Sequence, residues 1–367
     1  MIGIILIAFA VSAAITLLVI ASAHRHERWS ADQVGAGPQK MHVGVVPRVG
    51  GLGIACGMLL GGGFQAWLHP EYAYKLLLLF MCAFPTVAFG LIEDFTKSVS
   101  PRRRMLAAAL SGLLGALLLD AVVVRTGWPW FDALLAYRGF ALAATIFTVA
   151  GVVNSINIID GMNGLASMCM ALIMTALCYI ALQVGDLLVA GVALATLGAS
   201  LGFFIWNYPR GLIFLGDGGA YLLGLIYAEL GIMLIWRNPE VSPLTPLVLV
   251  AYPVFETLFT MYRRKVLRGR PVSLPDGIHL HTLIYRRMMR WAVGTDDPAA
   301  LTRGNSMTSP YLWVLSSLSV APAAIWWDST PAMGATLLVF VVAYVRLYWN
   351  IVRFKTPGWM GRLAGKS

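Results

Sequence analysis

The chain has 367 residues, of which 59% are hydrophobic and only 12% are charged, and its mean hydropathy is +0.75. Because a soluble domain carries about 25% charged residues, this composition excludes an ordinary soluble protein and indicates an integral membrane protein. The net charge of +10 does not indicate a nucleic-acid partner, because the basic residues are concentrated in the loops that flank the apolar segments.

Eleven apolar segments are each long enough to cross a bilayer, which takes about 20 helical residues. The predicted spans lie near residues 2–23, 50–68, 73–93, 105–124, 140–159, 165–183, 187–206, 218–236, 244–262, 308–327 and 331–350. With a periplasmic N-terminus, 23 of the 27 Lys and Arg residues fall on the cytoplasmic side, where loops of membrane proteins carry an excess of positive charge. The sequence therefore predicts an all-α, polytopic bundle of about 11 transmembrane helices, with a periplasmic N-terminus and a cytoplasmic C-terminus.

The longest polar segment between the spans is 263–305, and we predict a single integral-membrane catalytic domain over residues 1–367. In the predicted topology the unusual polar residues all fall on the cytoplasmic side. We expect the cytoplasmic loops to form the active-site face of the bundle. These loops are 24–48, 95–104, 154–164, 207–217 and 263–305.

The most informative segment is 151–164, where an apolar span runs into polar residues at every third position. These residues are Asn154, Asn157, Asp160 and Asn163. Positions i and i+3 share a face at a helix end, so the four side chains are expected to converge at one membrane surface. Gly161 and Gly164 then allow the backbone to turn and to approach a ligand closely. Because polar groups at this depth cost free energy unless they are used, we interpret the four residues as functional.

Three carboxylates lie at predicted membrane boundaries: Glu93 and Asp94 close the third span, and Asp217 precedes the eighth. Adjacent carboxylates repel each other, and a divalent cation would relieve this repulsion. Mg²⁺ commonly takes one or two carboxylates together with substrate phosphates. The alternatives are structural, since Glu93 and Asp94 could pair with Arg102–Arg104, and Asp217 could cap the helix that follows it.

Two histidines, His279 and His281, lie in the longest polar loop, with Arg286–Arg287 nearby. Residues two apart share a face only in an extended or turn segment. Fixed cationic donors suit a pyrophosphate, whereas a basic loop that contacts anionic lipids is the alternative. His42 and Arg48, which precede the second span, are further candidates for substrate binding, although His42 could be an ordinary loop charge.

The ordered combination of these motifs, over roughly residues 40–290, resembles the polyprenyl-phosphate N-acetylhexosamine-1-phosphate transferase family. In that family an Asp-Asp pair followed by a Lys closes the third span, and Glu93, Asp94 and Lys97 match it. The family's Asn-x-x-Asn-x-x-Asp-Gly-x-Asp-Gly, Asn-x-Pro with Gly-Asp, and His-x-His-His motifs match Asn154, Asn157, Asp160, Asn163, Asn207, Asp217, His279 and His281. The departures from the family pattern are Glu93, Asn163 and Thr282, which stand where the family has Asp, Asp and His.

The resemblance implies an enzyme that transfers N-acetylhexosamine-1-phosphate from a UDP-sugar, UDP-GlcNAc or a relative, to undecaprenyl phosphate. The products would be undecaprenyl-pyrophosphate-sugar and UMP, in the priming step of cell-surface polysaccharide synthesis, such as that of lipopolysaccharide O-antigen. It implies Mg²⁺, with Mn²⁺ as an alternative, and a multi-pass protein of the bacterial inner membrane whose active site faces the cytoplasm. The implied partners are the two substrates and membrane lipids, without nucleic acid, and a homodimer is left open.

The resemblance also assigns roles to single residues. Asp217 is expected to bind the metal together with Asp94. The residues expected to act in catalysis are Asp94, Glu93, Lys97, His279 and His281. The residues expected to bind substrate are Asn154, Asn157, Asp160, Asn163, Asn207, His42 and Arg48.

Two mechanisms and one rival function remain open. The lipid phosphate could attack the β-phosphorus of the UDP-sugar directly, or a carboxylate could attack first and form a covalent intermediate. The rival function is a multi-span transporter or lipid flippase. Transporters place charged residues near the bilayer midplane and often show internal repeats, whereas the polar residues here lie at one face and no repeat is visible, which favours the enzyme.

Overall fold

The computed structural model of the chain describes residues 1–24, 31–32, 46–267, 269, 277–289 and 298–353. The apolar segments form helices, because a helix satisfies its backbone hydrogen bonds internally where lipid offers no partners. In chain order the helices are α1 (Ile2–Ala21), α2 (Gly51–Leu68), α3 (Ala73–Thr96), α4 (Pro101–Leu118), α5 (Pro129–Leu135), α6 (Arg138–Ile159), α7 (Leu165–Gln183), α8 (Leu187–Asn207), α9 (Gly216–Arg237), α10 (Thr245–Leu249), α11 (Ala251–Tyr262), α12 (Leu280–Ile284), α13 (Pro298–Ile325) and α14 (Thr330–Val352). Two short antiparallel strands, β1 (Ala31–Asp32) and β2 (Val46–Pro47), pair with Ala31 opposite Pro47.

Within these described residues, eight helical segments are long and apolar enough to cross a membrane. They are α1, α2, α3 with the turn before it, α6, α7, α8, α9 and α14. The other three predicted spans also fall on helices, namely α4, the pair α10 and α11, and α13. The all-helical, multi-pass architecture is therefore confirmed, whereas the count of eleven spans and the orientation of the termini remain predictions.

Proline and helix capping explain where helix bounds differ from the predicted spans. The predicted span 244–262 is interrupted at Val250, because Pro253 has no amide hydrogen for the carbonyl of residue 249 and its ring crowds that carbonyl. The helix predicted from residue 105 begins at Pro101, because the Ser100 hydroxyl accepts the amide hydrogen of Arg103 at 3.4 Å. This earlier start places Arg102–Arg104 on α4.

Helix α9 lies at the centre of the bundle, and every residue from Gly216 to Leu234 is buried. Its neighbours include α2, α3, α4 and α6. At its N-terminus the packing is between backbones: a Cβ on Gly51 would lie 2.4 Å from the nitrogen of Gly219, and a Cβ on Gly90 would lie 2.7 Å from the Cα of Gly218. These contacts hold the beginnings of α2 and α9 and the end of α3 together.

We expect Gly51→Ala to lower the free energy of unfolding by about 1–3 kcal/mol, the usual cost of adding a methyl group where there is no room for it. The matched control is Gly63→Ala in the same helix, because a Cβ there would meet nothing within 4 Å. Both variants replace a glycine of α2 by alanine, so the difference between their free energies of unfolding reports mainly the backbone contact at position 51. The measurement is unfolding of the purified protein in mixed micelles by titration with SDS. Equal stabilities of the two variants would contradict the close approach.

Candidate active site

Helix ends at one end of the bundle surround a cavity of about 340 Å³. Helices α6 and α8 end at this cavity, and α7 and α9 begin there. Its lining residues, most of them polar, are Arg48, Asn157, Ile158, Asp160, Gly161, Met162, Asn163, Asn207, Phe214, Asp217, His279, His281, Thr282 and Asn305. The fold therefore brings together predicted site residues that are up to 233 positions apart in the chain, from Arg48 to His281.

Asp217 lies in the first turn of α9, is 4% exposed, and is surrounded by hydrogen-bond donors. Its Oδ1 accepts from Arg48 Nη2 at 3.3 Å and from Asn157 Nδ2 at 3.0 Å. Its Oδ2 accepts from the Arg104 guanidinium group. Two guanidinium groups and the positive end of a helix stabilise a negative charge. Asp217 is therefore placed as an anion at the edge of the cavity.

Asp94, on α3, lies behind Asp217 and is 1% exposed. Its Oδ1 accepts the amide hydrogen of Asp217 at 2.7 Å, and its Oδ2 accepts that of Gly218 at 2.9 Å. The first amides of a helix have no partner within the helix, so a carboxylate from α3 caps α9. Asp94 thereby fixes the backbone that carries Asp217, while each of its oxygens keeps a second lone pair for another ligand.

Three other predicted site residues that the structure describes do not line the cavity. Glu93 is half-buried, and its Oε2 accepts the amide hydrogen of Val99 at 2.7 Å. Lys97 is exposed and follows the end of α3 with φ of 53°. Asn154, on α6, is half-buried outside the cavity wall. His42 lies outside the described residues.

The turn between α6 and α7 is held from two sides. On one side, Asn207 Oδ1 accepts the amide hydrogen of Gly164 at 2.5 Å. On the other side, the backbone amide of Asn163 donates to Asn305 Oδ1 at 2.8 Å, and the side-chain Nδ2 of Asn163 donates to Ser306 Oγ at 3.1 Å. Asn163 and Asn207 therefore shape the cavity wall in addition to lining it.

His279 and His281 line the cavity at the beginning of α12, with their rings stacked at a centroid distance of 5.4 Å. A Cβ on Gly161 would lie 2.5 Å from His281 Nε2, so only glycine leaves room for this ring. Burial lowers the pKa of His281 to about 3, with His279 adding to the decrease and Glu256 opposing it. His281 is thus a neutral imidazole at physiological pH. Thr282, which stands at the third histidine position of the motif, also lines the cavity.

Arg104 and Asn305 contact the site but were not among the predicted site residues. The cluster Arg102–Arg104 is visible in the sequence. Which of the three arginines contacts Asp217 depends on how α4 is rotated about its axis, and the structure shows that it is Arg104. Asn305 lies 142 residues beyond its partner Asn163, and no sequence signal links the two. Helix α13 therefore supports the site in a way that the motifs do not indicate.

Asp160 provides a test by pH. Burial raises the pKa of Asp160 to about 7, with Arg48 opposing and Asp217 adding to the increase. A raised pKa in the folded state stabilises the protein fully below pH 4, and this stabilisation is lost as the pH rises through 7. We therefore expect Asp160→Asn to be more stable relative to wild type at pH 8 than at pH 5. The measurement is unfolding by SDS in the presence of EDTA and without nucleotide. If the difference in free energy of unfolding between Asp160→Asn and wild type does not change with pH, the pKa of Asp160 is not raised.

The donor set fits a divalent cation whose coordination is completed by substrate. Residues 1–24, 46–267, 277–289 and 298–353 contain no group of three His, Cys, Asp or Glu residues arranged to hold a metal by themselves. Asp160 and Asp217 do line one cavity, with Asp94 bonded to the Asp217 amide. This matches Mg²⁺, which commonly binds one or two carboxylates plus substrate phosphates.

Comparison with known proteins agrees with this geometry. Residues 76–235, which include Asp94, Asp160 and Asp217, match glycosyl transferase family 4. The chain is 27% identical to a probable undecaprenyl-phosphate N-acetylglucosaminyl 1-phosphate transferase of Bacillus subtilis, over 76% of each chain. It is 29% identical to the undecaprenyl-phosphate alpha-N-acetylglucosaminyl 1-phosphate transferase of Escherichia coli K12, over 68% of this chain and 67% of the relative. It is 26% identical to a phospho-N-acetylmuramoyl-pentapeptide-transferase of Streptococcus thermophilus, over 83% of this chain and 96% of the relative.

Proposed function

We propose that this chain is a sugar-1-phosphate transferase of the glycosyl transferase family 4 type, and that its donor is UDP-GlcNAc or a related UDP-N-acetylhexosamine. The acceptor is undecaprenyl phosphate, and the products are undecaprenyl-pyrophosphate-sugar and UMP. The reaction would prime the synthesis of a cell-surface polysaccharide. We place the enzyme in the bacterial inner membrane with the cavity facing the cytoplasm, where UDP-sugars are available.

One observation carries the proposal: Asp217 is held between Arg48 and Arg104 in the same polar cavity as His279 and His281. A diphosphate needs cationic and hydrogen-bonding groups, and phosphoryl transfer depends mainly on positioning and electrostatic stabilisation. The cavity supplies both signs of charge within one space. A protein that only crossed the membrane would gain nothing from desolvating these groups.

Asp217 and Asp94 would hold the metal, Mg²⁺ or alternatively Mn²⁺. When bound, a divalent cation neutralises the negative charge that develops on phosphate oxygens. In the reaction, an oxygen of the lipid phosphate forms a bond to the β-phosphorus, and the bond from that phosphorus to the bridging oxygen breaks. UMP leaves with the bridging oxygen and its electron pair.

The chain's own residues would assist this exchange at both ends. Lys97, His279 and His281 would donate hydrogen bonds to the diphosphate. Asp94 and Glu93 would orient or deprotonate the lipid phosphate. Both Asp94 oxygens accept backbone amides, which supports positioning by Asp94 over nucleophilic attack, and therefore the direct displacement over the covalent route.

The remaining predicted residues would bind the donor. The set is Asn154, Asn157, Asp160, Asn163, Asn207, His42 and Arg48. Asn157 and Arg48 reach Asp217 directly, which supports contacts near the diphosphate. Asn163 already donates to Ser306 and to the carbonyl of Pro209, which supports a share in shaping the wall.

Release of UMP tests the function. Purified protein in proteoliposomes should release UMP only when a UDP-N-acetylhexosamine, undecaprenyl phosphate and a divalent cation are all present. A panel of UDP-GlcNAc, UDP-GalNAc and their 6-deoxy relatives identifies the donor. Movement of lipid or solute across the bilayer without UMP release would instead support the transporter or flippase.

A further inference from the structure

Glu256, on α11, is a fully buried carboxylate that does not line the cavity. Its Oε1 accepts from His279 Nδ1 at 3.0 Å and from the amide of Leu280 at 3.2 Å. Its Oε2 accepts from the Tyr344 hydroxyl at 2.6 Å. Three donors from α12, the residue preceding it, and α14 thus hold this carboxylate in one orientation.

This contact determines which nitrogen of His279 carries a hydrogen. An ionised glutamate can only accept hydrogen bonds, so Nδ1 carries a hydrogen and Nε2 is the nitrogen left for the cavity that His279 lines. Donation from Nε2 to the diphosphate, the role proposed above, requires a hydrogen on both ring nitrogens, and the carboxylate of Glu256 would pair with the charge of that ring. Hydrogen bonds of this kind fix the tautomer and the ring orientation of functional histidines. Thr260 Oγ1, 3.3 Å from Nδ1, and the stacked ring of His281 restrict the His279 ring further.

A second buried glutamate, Glu229, provides a comparison for Glu256. Glu229, on α9, is equally buried, but neither of its carboxyl oxygens has a hydrogen-bond partner in the part of the chain that the structure describes. A buried carboxylate is costly unless it is paired and hydrogen-bonded. Glu256 meets this condition through His279, which connects it to the cavity.

We propose that Glu256 is a positioning residue for the transfer reaction: its carboxylate holds His279 so that Nε2 faces the diphosphate of the donor, and Tyr344 anchors this pair to α14. The inference rests on the proposed function. Through Tyr344, helix α14 also supports the site, although none of its residues lines the cavity.

A double-mutant cycle tests the proposal, with kcat/KM for the UDP-sugar as the readout. Glu256→Gln should lower kcat/KM by about 10–100-fold, the range found when the outer partner of a functional histidine is removed. In a His279→Gln background, the same change should lower kcat/KM by less than about threefold, because the residue that it positions is already absent. Tyr344→Phe should lower kcat/KM by roughly fivefold, as expected for one hydrogen bond.

Matched controls separate positioning from folding. Glu229→Gln makes the same change at an equally buried glutamate whose carboxyl oxygens have no hydrogen-bond partner among the described residues, and it should leave kcat/KM within about threefold of wild type. Glu256→Asp should restore part of the loss if the charge is what matters. Equal losses from Glu256→Gln in the wild-type and His279→Gln backgrounds, or full activity of Glu256→Gln, would overturn the proposal.

A measurement without substrate keeps the two proposals distinguishable. In the nitrogen-15 spectrum of histidine-labelled protein, with His279→Gln identifying the signals, Nδ1 of His279 should be protonated in wild type. An unprotonated Nδ1 would overturn the positioning role even if UMP is released. A wild-type protein that shows the protonated Nδ1 but releases no UMP would count against the proposed function alone.

Discussion

Asp217→Asn should abolish UMP release, a loss of at least about 10²–10³-fold, while the protein still inserts into the membrane. The substitution preserves size but removes the charge that Arg48 and Arg104 surround. It also removes the carboxylate that we assign to the metal. UMP release by the purified variant, together with its yield from the membrane fraction, measures the two effects separately.

Asp328→Asn is the control for this substitution, because Asp328 is exposed between α13 and α14 and does not line the cavity. It should retain wild-type activity. Full activity of Asp217→Asn in well-folded protein would refute the site, since Asp217 is the carboxylate that pairs with both arginines.

Asp94→Asn should also abolish UMP release, and in addition it should lower the free energy of unfolding by about 1–3 kcal/mol. Each Asp94 oxygen accepts one of the two amides, of Asp217 and Gly218, and in asparagine an NH2 group, which is only a donor, replaces one of these oxygens. One amide at the beginning of α9 would remain unpaired in a buried place. The measurements are UMP release and SDS unfolding, each with Asp328→Asn as reference.

The combination of the two losses distinguishes Asp94 from Asp217. If Asp94→Asn keeps its stability and loses only activity, Asp94 acts on the substrate or the metal and its capping of α9 is unimportant. If it loses stability but keeps turnover, its predicted catalytic role is wrong.

The helices could be predicted from the sequence because each apolar run has the length that a bilayer requires. Their ends could not, since these depend on single residues. Pro253 interrupts the predicted span 244–262, and Ser100 extends α4 towards its N-terminus. Residues 298–305 belong to the predicted loop 263–305, yet they form the first turns of α13, where Asn305 can reach Asn163.

The sequence placed the polar residues at one end of the bundle, because consecutive spans alternate in direction and bring every second boundary to the same surface. It could not resolve which residues line the cavity. The adjacent residues Glu93 and Asp94 face different partners, an amide in the following loop and the beginning of α9 respectively. That difference depends on the direction in which each side chain leaves α3 and on the packing of α3 against α9. Neither can be predicted from the spacing of residues along the chain.

The contact among α2, α3 and α9 has a consequence for engineering. Gly51 meets Gly219, and Gly90 meets Gly218, so neither side has a side chain that could be made smaller. A second substitution on α9 therefore cannot compensate a larger residue at position 51 or 90, and genetic screens for suppressors should return mainly reversion to glycine. Elsewhere in the bundle, where leucine and alanine side chains interdigitate, paired size exchanges remain available.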